Sequence, residues 1–293
     1  MTQRYPVITR ARRNGPGLAA RPLRAPWPGG ARTVAAITLN FDGASWDITQ
    51  NCRPLGARSQ GLYAGRIGVR RQLDILDSHG IKGSFMVPGY DAECFPDLIR
   101  EIVARGHEVA AHGYLHERVL FSPEEEEKRL RHTHEILTRI TGKAPVGWRS
   151  PSGQKTYTTL RVLKDLGYRY DASEKDADMP HMLDLGDGLS MAEVPNNATS
   201  LDDFPWFQHS RTPVSEVRDA WIAEFDTLHA DRGYFMLGIH SRAGWGSGTP
   251  SRAAALDALI RHIKRFPGVA FVTAGQVADW VLANPTEFDE VRI

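Results

Sequence analysis

Two histidines four residues apart, His112 and His116, follow a short apolar run, Val109-Ala110-Ala111, with Gly113 between them. Valine and alanine suit a buried strand, the glycine breaks it, and the chain can then turn so that both imidazoles converge on one ion. Imidazole nitrogen suits Zn2+ and neighbouring divalent cations, but two ligands make half a site at best. A third is offered by Asp42, the carboxylate that ends the run from Val34 to Phe41. Asp42, His112 and His116 would leave coordination positions open for water and a substrate. Among the 11 histidines of 293 residues, a four-residue spacing arises by chance roughly 0.4 times, so position at a strand end weighs more than spacing.

Such a site needs several buried strands that stop at one end. A helix with Ile67, Leu73 and Leu76 on its apolar face, capped near Gly80, leads to a strand over Ile81 to Val87. Pro96 to Arg105 is a helix before the histidine strand. Ser122 opens the next, with Pro123 in its first turn and Glu124 to Glu127 at the positive end of its dipole, and Gly142 closes it. Short strands run from Ala144 to Trp148, to Tyr170-Asp171, and from Ser190 to Val194; longer alternation follows, with strands at Tyr234 to Ile239 and Val269 to Thr273. Helices cover Thr158 to Leu166, Glu216 to Leu228, Ala253 to Lys264 and the stretch through Val281. Ala44 to Gly65 has turn residues and no clear period and reads as a functional loop over a strand end. This alternation predicts an α/β fold, parallel strands with outer helices closing into a (β/α) barrel, whose chemistry gathers at the C-terminal strand ends. Asp42, His112, Arg149, Asp171, Asn197 and His240 each fall at such an end.

Composition is that of a soluble globular chain, 41% hydrophobic and 24% charged. A net charge of +1 gives no bulk attraction to nucleic acid or an anionic membrane, and neither is expected as a partner. Residues 1–32 carry seven arginines and no acid, interleaved with prolines. They read as an arm packed on its own domain or on a neighbouring subunit, so a homo-oligomer is expected, with residues 33–293 forming one barrel domain. No run approaches the roughly 20 apolar residues of a membrane span, and the N-terminus lacks the apolar core of a secretory signal, which predicts a cytoplasmic chain. Cys52 and Cys94 are too few for a disulfide framework or a thiolate metal site.

Asn40-Phe41-Asp42, His112-Gly113-Tyr114-Leu115-His116, Arg149-Ser150-Pro151-Ser152-Gly153 and Ile239-His240 resemble the motifs of the polysaccharide deacetylase superfamily, the NodB-homology or carbohydrate esterase 4 group of distorted (β/α) barrels. The phrase from Gly61 to Gly68 and the run from Glu193 through Asp203 resemble the branch with certain peptidoglycan deacetylases, cyclic imide hydrolases and allantoinase-like proteins. The resemblance spans residues 26–285. It implies that Asp42, His112 and His116 bind a metal, usually zinc, that Arg149 sits beside the site, and that His240 donates a proton to the leaving nitrogen. The chain departs from the pattern at Asn40, where sugar deacetylases of the family carry an aspartate base; an amide cannot take a proton from water at ordinary pH.

The expected function is metal-dependent hydrolysis of a non-peptide C–N bond. A metal can bring the pKa of a bound water to about 7 without a carboxylate base. In a cyclic imide or ureide the departing nitrogen is stabilised by a second carbonyl. Opening of a small cyclic imide, amide or ureide is therefore the leading expectation, with Asn40 bonding the water or a carbonyl. Deacetylation of an N-acetylated sugar on the same fold is the alternative, and a catalytically inactive ligand-binding homologue is the reading from another class. Trp46, Trp206 and Trp245, in loops around the mouth, and Ser152 would contact the small-molecule substrate. Arg149 would anchor it or stabilise an oxyanion, while Asp171 and Asp178 would orient His240 or Arg149.

Overall fold

The computed structural model of the chain describes residues 7–10, 27–117, 121–196, 199–231 and 233–293. Its strands are β1 (Val7–Arg10), β2 (Thr33–Asn40), β3 (Ser84–Val87), β4 (Glu108–Ala111), β5 (Gly147–Trp148), β6 (Tyr170–Asp171), β7 (His181–Gly186), β8 (Leu189–Glu193), β9 (Tyr234–His240), β10 (Val269–Val272) and β11 (Glu290–Arg292). They form one sheet in the order β1-β11-β7-β8-β6-β5-β4-β3-β2-β10, with β9 also paired to β2. Pairing is parallel from β8 through β6, β5, β4 and β3 to β2 and on to β9 and β10, and antiparallel in β7·β8 and β1·β11.

The two-residue period of β2 divides its side chains between two cores. Ala35, Ile37, Leu39 and the following Phe41 pack outward with the helices. Val34 and Ala36 point the other way, into a cluster with Met86, Ala110, Tyr170 and Met236 from the neighbouring strands. Continuing that inner row, Thr38 and Asn40 carry polar groups towards its C-terminal end. Parallel register sets Asn40 opposite both Met86 of β3 and His240 of β9.

The outer layer is α1 (Ala44–Thr49), α2 (Gln60–Tyr63), α3 (Val69–Ser78), α4 (Gly89–Cys94), α5 (Pro96–Ala104), α6 (Pro123–Thr141), α7 (Tyr157–Asp165), α8 (Val214–Ala230), α9 (Pro250–Ile263) and α10 (Ala274–Ala283). Helix α6 has the ends its sequence specifies: the Ser122 hydroxyl accepts the Glu125 N–H at 3.3 Å, and Gly142 closes it in the left-handed region. The stretch after Asp42 is not the irregular loop its sequence suggests. It contains α1 and α2, and a π-helical turn, Ala64–Gly68, joins α2 to α3. Ile67 in that turn is 44% exposed instead of facing the core, because the wider turn shifts the helical phase. Gly68 lets the turn run against the chain after β9; a Cβ there would lie 1.8 Å from the Ser241 carbonyl oxygen.

Closure of the barrel is irregular. Among the described residues no ladder joins β8 to β9, and the segment following β8 fills the seam. The Tyr234 hydroxyl donates to the Pro195 carbonyl at 2.9 Å, and Asp202 makes an isolated parallel bridge with Gly238. Neither β7 nor β11 is legible as a strand in the sequence: β7 runs antiparallel to β8 through a hairpin, and β11 docks parallel on β7 from the end of the chain. Part of the Arg- and Pro-rich N-terminal arm, β1, adds to the sheet edge along β11 of its own chain.

Candidate active site

At the C-terminal ends of β2 and β4, Asp42, His112 and His116 bring one ligand atom each within 4.8 Å of one another. The Asp42 carboxylate lies 3.4 Å from His112 Nε2 and 3.2 Å from His116 Nε2, and all three side chains are buried. Asp42 Oδ1 and His112 Nε2 have no hydrogen-bond partner among the described residues. Two buried lone-pair atoms left unsatisfied side by side are costly unless a cation completes them, so these residues fit a metal. Tautomers agree: His112 Nδ1 donates to the Arg149 carbonyl at 2.8 Å, leaving Nε2 as the lone-pair nitrogen. Burial draws the His112 pKa down, which keeps the ring neutral. Burial alone would raise Asp42, but the charges of His116 and His240 and the close imidazoles of His112 and His116 hold it well below the usual carboxylate range. Asp42 and His116 both occupy the left-handed region, φ 40° and 55°, a strained backbone that surrounding packing must enforce.

His240 stands across from this cluster, with Nε2 3.5 Å from Asp42. Its Nδ1 meets Asp203 at 2.5 Å, and the other Asp203 oxygen accepts the His240 backbone N–H at 3.1 Å and the Ser247 hydroxyl at 2.6 Å. Asp202, Asp203 and His240 also lie close enough to suggest a second metal group. Both Asp203 oxygens are already satisfied by these hydrogen bonds, so the group is a braced Asp–His pair. Burial lowers the His240 pKa, but the carboxylates of Asp203 and Asp42 outweigh it and push the imidazole up to about 9.

Asn40 opposes that trend. Arg149 Nη1 donates to Asn40 Oδ1 at 3.0 Å and to Thr38 Oγ1 at 2.9 Å, while Nε donates to the Ala172 carbonyl at 2.9 Å. The guanidinium thus fixes the amide, turning Nδ2 towards His240 Nε2 at 3.0 Å. An imidazolium N–H would meet that amide N–H head on, so this contact favours the neutral ring. Arg149 itself is 4% exposed and its donors are engaged inside the barrel. It orients Asn40 instead of reaching out as the substrate anchor expected for it.

A cavity of about 260 Å3 opens over these groups, lined by Asn40, Asp42, His112, His116, Arg149 and His240 and also by Trp46, Ser152, Trp245, Phe204, Lys175 and Asn196. Trp206 is not in this lining; its indole N–H is bound to the Ser200 carbonyl at 2.9 Å, and the ring packs on the outer core. Phe204 takes the wall position, with its ring 4.6 Å from Trp245. Asp171 does not touch Arg149 or His240. It pairs with Lys155, which also meets the buried Glu193 and the partly exposed Glu174, and accepts the Ser173 hydroxyl at 2.5 Å, which in turn accepts the Ser150 N–H at 2.8 Å. Its role is to brace the cavity wall. Asp178 is exposed and outside the lining, and Asn197 lies outside the described residues.

Two acids were not singled out from sequence for the roles they take. Asp203 ends a stretch that carries the family resemblance, but no spacing links it to His240, 37 residues on. Asp91 accepts the Gly43 N–H at 2.9 Å, the Ser45 N–H at 3.2 Å and the Ser45 hydroxyl at 2.5 Å, holding the turn that leaves Asp42. Burial, partly countered by those hydrogen bonds, pushes its pKa up to about 6.

The sequence model of the polysaccharide deacetylase family matches residues 64–170, a span that holds His112, His116 and Arg149. The chain is 29% identical over 262 residues to the peptidoglycan deacetylase of Helicobacter pylori, covering 78% of this chain and 88% of that protein. Its structure is similar to that of a Mycobacterium smegmatis protein assigned as a polysaccharide deacetylase, at 33% identity and a TM-score of 0.81, covering 91% of this chain and 96% of the other. The structure of Puue allantoinase is also similar, at 25% identity and a TM-score of 0.78, covering 88% and 93%. With an identity of 33% maintained over nearly the full length of the Mycobacterium smegmatis protein, the chain belongs to the polysaccharide deacetylase family, whose members hydrolyse C–N bonds.

Proposed function

We propose that this chain is a metal-dependent amide hydrolase that removes acetyl from an N-acetylated sugar of the peptidoglycan type. The observation that carries amide hydrolysis is the meeting, in one cavity, of an unsatisfied Asp42–His112–His116 cluster with a His240 braced by Asp203. The acetyl-sugar substrate is supported by the likeness to a peptidoglycan deacetylase over 78% of this chain and to the structure of a protein assigned as a polysaccharide deacetylase, and it displaces ring opening as the leading reading.

Asp42, His112 and His116 would hold the metal, for which zinc is the proposed ion. When bound there, a divalent cation lowers the pKa of a coordinated water to about 7 and polarises an amide carbonyl. The protein supplies proton handling and orientation. Asp203 holds the proton on His240 Nδ1, so Nε2 is the nitrogen that faces the reacting groups. In the neutral ring Nε2 accepts a proton as water attacks; in the cation it returns that proton to the departing nitrogen. Asn40, held by Arg149, cannot serve as the base and acts on His240. The cavity wall of Trp46, Phe204 and Trp245 would take the sugar ring and exclude water.

A second reading, opening of a small cyclic amide or ureide, is favoured by Asn40, because a site without a carboxylate base suits a substrate with a better leaving nitrogen. The likeness to an allantoinase structure supports it. The test is a hydrolysis panel on zinc-loaded and chelator-stripped protein. Metal-dependent acetate release from N-acetylglucosamine oligomers or peptidoglycan fragments is expected. Inert acetylated sugars with turnover of succinimide, hydantoin, dihydrouracil or allantoin would overturn the deacetylase reading in favour of the second.

A further inference from the structure

A buried cation stands behind the aromatic wall of the cavity. Arg242 is 1% exposed, and its guanidinium carbon lies 4.4 Å from the Trp46 ring centre and 5.0 Å from that of Trp245. Both rings line the cavity. Arg242 Nη2 donates to the two carboxylate oxygens of Asp47 at 3.0 and 3.2 Å, and Asp47 follows Trp46 on α1. A buried guanidinium would be costly without that carboxylate. Room for the pair comes from Gly61, where a Cβ would lie 2.4 Å from Asp47 Oδ2.

One side chain thereby ties α1 to the chain after β9. It does so through the faces of two indoles, a contact that suits a flat guanidinium and that a lysine ammonium makes differently. The indoles meet at 5.7 Å, and Trp245 continues the contact to the edge of His240 at 4.5 Å. None of the polar contacts of Arg242 involves Asp42, His112 or His116.

We propose that Arg242 is a positioning residue that sets the spacing and tilt of Trp46 and Trp245, and through them the affinity of the cavity for the apolar face of a ring. This rests on the reading that the cavity takes a ring-shaped substrate, and the face it recognises is common to a saccharide and a cyclic amide. A merely structural ion pair would lower stability and leave ring binding unchanged. A clamp makes ring binding depend on the planar group itself.

The experiment uses zinc-loaded full-length protein as wild type, Arg242→Lys and Arg242→Met. Binding of chitotetraose and of hydantoin is followed by quenching of tryptophan fluorescence, with kcat and KM on whichever is turned over, and with zinc content and Tm alongside. Both variants should raise Kd and KM about ten-fold, with kcat falling less than about three-fold and zinc content unchanged. Arg242→Lys should keep most of the Tm, because Asp47 retains a cationic partner. Wild-type affinity in Arg242→Lys, or a loss confined to kcat, would overturn the clamp, as would a wild type that binds neither ring. Binding without turnover would count against the proposed reaction alone, since the effect of Arg242 is then read from Kd.

Discussion

Replacing Asn40 by Asp changes one atom type at the centre of the site and tests what the amide does there. Asn40 is buried, with Oδ1 3.0 Å from Arg149 Nη1 and Nδ2 3.0 Å from His240 Nε2. A carboxylate in the same position would pair with Arg149, worth about 4 kcal/mol at a charge separation near 4 Å and an effective dielectric constant of about 20. Removing the new carboxylate from water costs several kcal/mol, so the two effects nearly cancel. Tm should then move by no more than about 4 °C. The chemistry should change far more. Where the amide presents N–H to His240, the carboxylate presents an acceptor; it favours the imidazolium and can itself take a proton from water. A positioned general base contributes about 10²- to 10⁴-fold, so acetate release from N-acetylglucosamine oligomers should rise by at least about 10²-fold. The assay is acetate release at saturating zinc between pH 6 and 9, with Tm and zinc content as controls. A folded, zinc-replete Asn40→Asp protein that releases acetate no faster than wild type across that range would refute the reasoning that the amide withholds a base.

Three further outcomes follow from the same geometry. Asp203→Asn removes the carboxylate that favours the His240 cation, so the acid limb of the kcat/KM profile, below which the ring is protonated and cannot accept the proton from water, should move to lower pH and kcat should fall about 10²- to 10⁴-fold at unchanged zinc content; an unmoved limb would dissociate Asp203 from the proton transfer. His112→Ala should abolish zinc retention, measured by elemental analysis after dialysis, together with activity, and an active, zinc-replete variant would remove His112 from the ligand set. Burial pushes the Asp91 pKa up to about 6 from an ordinary 3.8, so the native state binds this proton more tightly. Its contribution is most favourable below pH 3.8 and is lost as pH rises through 6, a span of about 3 kcal/mol. Wild type should therefore gain stability relative to Asp91→Asn as pH falls from 7 towards 4, and a pH-independent difference in Tm would contradict the shift.

Locally encoded features were the most legible. Ser122, Pro123 and Gly142 mark the ends of α6 because caps act within one turn of the chain. The alternation along β2 and the apolar run of β4 place Asp42 and His112 at strand ends, and parallel pairing brings those ends together. The stretch after Asp42 reads as a loop because α1 and α2, of six and four residues, are too short to show a sustained apolar period. Trp206 and Trp245 looked alike, both aromatic residues in loops; one packs on the outer core and the other on His240.

The amino-acid sequence by itself determined the α/β class, the family motifs, the candidate metal ligands and the anomaly at Asn40, since each depends on residue type, short-range period or a motif. Only the tertiary structure decided that Arg149 orients Asn40, that Asp203 braces His240, that Asp91 holds the turn beside Asp42 and that Arg242 sits between two tryptophans. Those contacts join residues 109, 37, 48 and 195 positions apart for the hydrogen-bonded partners Asn40, His240, Gly43 and Asp47, respectively. No local period reports such pairings. They exist because the closing sheet brings the ends of distant strands into one small volume, where each buried polar group must find its partner.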